Sequence, residues 1–130
     1  MFKHTVTYKD YDGKERTESF YFHYNEAELM EMINSEEGDF SARVKRLVDA
    51  NENSKVIKIV KKFVLDAFGV KSDDGRRFEK SEEISKAFEQ HPAYSIIFMK
   101  MARDSKFSAE FINSVVPEEY RGKIEIPTAE

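Results

Sequence analysis

The chain has 130 residues and a mass of 15.2 kDa, with 40% hydrophobic and 35% charged residues. A chain of that length buries roughly two-thirds of its unfolded surface, which suits one domain with a core that needs no staples. Its 25 acidic and 21 basic residues leave a formal net charge of -4, so nothing draws the whole molecule toward nucleic acid or anionic lipid.

Residues 2–9 and 17–24 are rich in β-branched and aromatic side chains and alternate in polarity, as strands do. Asp12-Gly13 between them marks a turn. The apolar positions of both segments are even-numbered: Phe2, Val6, Tyr8, then Phe20, Phe22, Tyr24. Residues facing each other across an antiparallel pair share a face. A two-residue loop would pair even with odd positions, whereas a three-residue loop, Tyr11-Asp12-Gly13, keeps the apolar set together. Gly13 then takes the left-handed position of a bulged turn.

Everything after residue 25 reads as helical. Asn25 with Glu28 forms a capping box that opens a helix through about Asn34, with Ala27, Leu29, Met30 and Ile33 as its apolar side. A second helix covers about Asp39 to Ala50. A third runs from about Ser54 to Phe68 with Gly69 as its cap, and its wide apolar arc makes it the expected central helix. Residues 69–80 are a polar connector, either a mobile loop or a small irregular hairpin around Asp74-Gly75. Ser81 starts a fourth helix, Pro92 a fifth through about Arg103, and Ser105 a sixth that Pro117 stops. The tail 118–130 has no apolar period and reads as extended or frayed. The expected architecture is α+β: one domain over 1–117, an N-terminal hairpin (2–24) packed on five or six short helices (25–117).

Chemistry-bearing motifs are sparse. Cysteine is absent, which excludes disulfides, thiol nucleophiles and thiolate metal sites and fits a cytoplasmic protein. Of the histidines, His4 and His23 fall on opposite faces of the hairpin, and His91 suits a cap before Pro92. Neither paired-histidine zinc spacings nor phosphate-cradling glycine clusters occur, and neither Asp-Gly turn has the ligands of a calcium loop. No catalytic, metal or cofactor site is expected. The N-terminus lacks the basic region and apolar run of a signal peptide. The densest apolar stretch, Val56 to Phe68, is too short and too charged to span a bilayer.

Two surface features have more than one reading. Lys55, Lys58 and Lys62 are spaced to share a helix face. They form either the solvated side of a core helix or a contact for an anionic partner, and the net charge and missing stacking platform favour the former. Met30, Ile33, Met99 and Met101 either fill gaps in the core or line a surface for apolar segments of a partner.

Several runs resemble a known family. Thr5-Val6-Thr7-Tyr8, Asp10-Tyr11-Asp12-Gly13, Glu15-Arg16-Thr17-Glu18, Phe20-Tyr21-Phe22 and Glu26-Ala27-Glu28-Leu29 resemble the opening of tail assembly chaperones from long, flexible-tailed phages and prophages of Gram-positive hosts. The run 69–78 resembles their central loop, and Ala87-Phe88, Ala93-Tyr94 and Phe98-Met99 resemble the helices that follow it. The resemblance implies a non-enzymatic protein of the host cytoplasm that binds the long helical tape measure protein. It would keep that client soluble while tail tube subunits polymerise. Self-association into rings or filaments is expected, because many copies must coat one client. The competing expectation is a small phage regulatory module that binds nucleic acid through the lysine face.

Overall fold

The structure, a computed structural model, describes residues 1–33 and 40–118, apart from the side chains of residues 33 and 40–43. The junction 34–39 and all of the expected tail beyond Glu118 lie outside the described residues.

Strands β1 (Phe2–Lys9) and β2 (Glu15–Phe22) pair antiparallel, with Phe2 opposite Phe22, Val6 opposite Glu18 and Tyr8 opposite Arg16. Even positions therefore meet even positions. Gly13 has φ +82°, its N–H donates to Asp10 O at 3.0 Å, and the Asp10 N–H donates to Lys14 O at 2.8 Å. This is the three-residue bulged turn that parity demands. Asp10 braces it, because Oδ1 accepts from the N–H groups of both Asp12 and Lys14 at 2.9 Å. All six even-numbered apolar residues are buried; a slip of one residue would turn every one of them to solvent.

The capping box forms in both directions. The Glu28 N–H donates to Asn25 Oδ1 at 2.8 Å, and the Asn25 N–H donates to Glu28 Oε1 at 2.9 Å. It opens α1 (Glu26–Ile33), which buries Leu29 and half-buries Met32, while Ala27 and Met30 face solvent. Of the expected apolar side, Leu29 is buried as read while Ala27 and Met30 are not, and the core-facing pair is Leu29 with Met32 at i, i+3. Helices α2 (Phe40–Asp49) and α3 (Asn53–Ala67) follow.

Gly69 is not the cap of α3. The chain passes from Ala67 directly into β3 (Phe68–Lys71), which pairs with β2 through Tyr21–Gly69 and Phe22–Phe68. β4 (Phe78–Glu79) then pairs with β3. The hairpin is therefore half of a four-stranded antiparallel sheet in the order β1-β2-β3-β4, and the polar connector is its second, irregular hairpin. Gly69 lets the Phe78 ring lie close over the strand, because a Cβ there would be 2.6 Å from that ring and the ring would have to shift.

Ser81 caps α4 (Glu82–Glu89) by accepting from the Ile84 N–H at 3.1 Å. His91 caps α5 (Pro92–Arg103): its Nδ1 accepts from the Ala93 N–H at 3.0 Å, and Pro92 stands in the first turn. Asp104 caps α6 (Ser105–Val115) through the Phe107 N–H at 3.1 Å. Helices α5 and α6 lie on β1, and α4 lies on β3. Phe22 is fully buried, with the rings of Phe2, Phe68, Phe88 and Phe111 at 5.1 to 6.4 Å. Each such tilted or edge-on pair contributes about 0.5–1.5 kcal/mol beyond area burial. Past β2, the His23 and Tyr24 N–H groups donate to Ala67 O (2.8 Å) and Val115 O (2.7 Å). They satisfy carbonyls that the ends of α3 and α6 leave open.

Candidate partner-binding surfaces

The three histidines have different surroundings. His91 is the cap described above. His4 packs against Phe107 at 4.9 Å and stacks on Phe2 at 5.7 Å. Burial, and then the nearby Lys100, lower its pKa. His23 lies edge-on to Phe78 at 6.3 Å, and its pKa is lowered by burial first. Among the described residues, no group of His, Asp and Glu is placed to hold a metal ion. No helix among them is long and apolar enough to cross a membrane.

The four apolar candidates separate. Met30 on α1 is 51% exposed and Met99 on α5 is 37% exposed, whereas Met101 is 2% exposed within the core. Met101 is therefore not a surface residue. On α5 it falls on the inward side with Ile97, four positions earlier and also fully buried. The side chain of Ile33 lies outside the described residues. Two more large apolar residues on the described helices are also exposed: Ile96, one turn before Met99 on α5, and Ile57 on α3. The i−3 spacing from Met99 was the signal for Ile96. Ile57 carried no such signal, since it falls inside the apolar arc of α3. Only the C-terminal half of that helix, at Phe63, Val64 and Ala67, is buried.

The lysine face lies at the rim of an apolar groove between α1, α2 and α3, with a volume of about 750 Å³. Tyr24, Met32, Leu47, Ile59 and Phe63 contribute its apolar lining. Lys55, Lys58 and Lys62 line one side and are joined by Arg46 from α2. Lys55 pairs with Glu52 at 3.0 Å and Lys62 with Asp66 at 2.8 Å, both on the exposed surface. Arg46 and Lys58 have no ion pair with another described residue, and Asp66 is the single carboxylate of the lining. The groove is thus apolar at its base and cationic at its rim. Sequence spacing brought the three lysines together; it could not show Arg46 or the lining from α1 and α2, which only the packing of three helices assembles. Arg76 and Arg77 do not line it, and Arg77 pairs with Glu79 at 3.4 Å.

The described residues thus form an α+β fold whose charged surface carries exposed apolar side chains on three helices. Residues 1–128 match the phage tail assembly chaperone family, and the chain belongs to that family. No curated protein and no solved structure matches it significantly. A tail assembly chaperone acts through protein partners of the phage tail, which agrees with exposed apolar side chains set in a highly charged surface.

Proposed function

We propose that this chain binds the tape measure protein of its phage in the cytoplasm of the infected bacterium. It keeps that client soluble while tail tube subunits polymerise around it, and it is displaced from the finished tail. The mechanism is physical. Exposed apolar side chains on the helices cover apolar stripes of an elongated client, and the charged remainder of the surface keeps the complex in solution.

The observation that carries this reading is the exposure of Met30, Ile57, Ile96 and Met99 on three helices of a chain that is 35% charged. Family membership over residues 1–128 supports it. Met30 and Met99 are the residues proposed to touch the client, together with Ile33. Each contact is weak, so holding a long client requires many copies and avidity along it. Self-association into rings or filaments, and contact with the tail tube protein, belong to the same reading. No substrate is turned over.

Co-expression with the tape measure protein, followed by pull-down and size-exclusion chromatography with light scattering, tests the proposal. The expected result is a soluble complex with many copies of this chain per client. An insoluble client, with this chain eluting alone, overturns it.

A further inference from the structure

We infer that the groove between α1, α2 and α3 is the seat for one amphipathic helix of the client, with an apolar stripe flanked by carboxylates. The inference rests on the reading above and adds the place and the chemistry of the contact. The lining positions on α3 run from Lys55 to Asp66. That is about 16 Å of helix axis, or three turns of a helix lying alongside. Met32, Leu47 and Ile59 offer apolar surface from three different helices, which is the arrangement that receives i, i+3, i+4 anchors.

Charge selects the occupant. The rim presents four cations and one carboxylate, and Arg46 and Lys58 have no ion pair with another described residue. Acidic residues on both flanks of an apolar stripe would meet those cations, while basic flanks would be repelled. A second copy fits less well. Its exposed apolar pair on α5, Ile96 and Met99, is followed by Lys100 and Arg103, which have the same sign as the rim. Nucleic acid also fits less well, because the two aromatic rings of the lining, Tyr24 and Phe63, are 4% and 2% exposed and offer no stacking platform.

The test uses the full chain and two stapled fluorescent peptides with identical leucine spacing, one flanked by glutamates and one by lysines. Anisotropy is expected to show the glutamate peptide binding at least tenfold more tightly, with the margin shrinking as salt rises. The triple variant Lys55→Glu, Lys58→Glu, Lys62→Glu should reverse the preference, and the Lys→Gln triple should abolish it. These side chains are on the surface, and circular dichroism confirms that each variant is folded. Equal affinity for both peptides, no binding of either, or displacement of the glutamate peptide by a duplex oligonucleotide at equal concentration overturns the inference. So does a dimer in light scattering that the Glu triple dissolves. Co-expression separates this inference from the broader reading. If the Glu triple solubilises the tape measure protein as well as wild type, the groove is wrong and the chaperone function stands. If wild type fails to solubilise it while the peptide preference holds, the groove stands and the client was misassigned.

Discussion

Lys80 Nζ lies 2.7 Å from Glu28 Oε2 and so joins two elements 52 positions apart in the chain. The same ammonium donates to His23 O at 2.6 Å and lies 4.8 Å from the centre of the Tyr24 ring. Glu28 is meanwhile half of the capping box at the start of α1. One lysine therefore ties the exit of β4 to the exit of β2 and to the first turn of α1. Both side chains are at most a third exposed, so solvent screens this pair less than it screens a surface pair. Lys80→Met should cost about 1.5–3 kcal/mol, the usual value of a charge-assisted hydrogen bond. Glu28→Gln keeps an acceptor for the cap and should cost less. Urea denaturation of both variants and the double variant should give a coupling energy of about 1 kcal/mol. Additive losses would show that the contact contributes nothing to stability.

Gly69 supplies a second test of packing. A Cβ at this position would lie 2.6 Å from the Phe78 ring, although the backbone there is ordinary strand. Gly69→Ala should cost about 1–3 kcal/mol, the range for overpacking. The loss should shrink in a Phe78→Leu background, where the ring is gone. Gly13→Ala gives the contrast. Nothing lies within 4 Å of its Cβ, but φ is +82°, so a cost of about 1 kcal/mol should persist whatever the neighbours. Thermal melts of the four variants distinguish space from conformation.

These two glycines also mark what the sequence reveals and what it hides. Gly13 is legible because its role is local: the parity of Phe2, Val6, Phe20 and Phe22 forces a three-residue loop with a left-handed third position. The Asn25–Glu28 box, the Ser81 cap and the His91–Pro92 junction are legible for the same reason, since each is satisfied within three residues. Gly69 reads locally as a helix cap. Its actual role depends on β3 joining β2 and on Phe78 returning across it, which are pairings at long separation. The groove is hidden in the same way. Lys55, Lys58 and Lys62 share a face by spacing, but Arg46, Leu47 and Met32 reach that face only through helix packing. Met101 and Met99 show the remaining limit. Both lie on an apolar helix, and only the orientation of α5 against β1 decides which one is buried.

The histidines predict a pH dependence. His4 lies near Lys100 and Glu110, and His23 near Lys80 and Glu28; burial is the largest cause of lowered pKa for both. The folded state therefore holds them neutral at pH values where the unfolded chain begins to protonate them from its ordinary value of about 6.5. The unfolded chain binds more protons in that window, so stability rises with pH there. The contribution is fully present above about pH 6.5 and is lost as pH falls from there through the depressed folded values. Melting temperature should drop between pH 7.5 and 5.5, and His4→Gln with His23→Gln should flatten the slope. Asp10 and Asp74 titrate below the ordinary Asp range, Asp10 chiefly through its hydrogen bond with Arg16 and Asp74 chiefly through the Arg76 N–H. Their effect belongs to a more acidic window and does not confuse the measurement. An unchanged slope in the double variant would assign the drop to other groups.

The methionines separate folding from holding. Met101 is 2% exposed, so Met101→Ala should remove about 2–5 kcal/mol of stability, as core truncations do. Met30 and Met99 are exposed, and their replacement by Gln or Ser should change stability by no more than about 0.5 kcal/mol. If they touch the client, Met30→Gln with Met99→Ser should leave a normally folded protein that keeps less tape measure protein in the soluble fraction. Adding Ile96→Ser should deepen the loss, because it lies on the same side of α5 one turn before Met99. The measurement pairs a urea melt of each variant with the soluble yield of co-expressed client. Wild-type client yield from the folded triple variant would remove these residues from the binding surface and move the search to the groove between α1, α2 and α3.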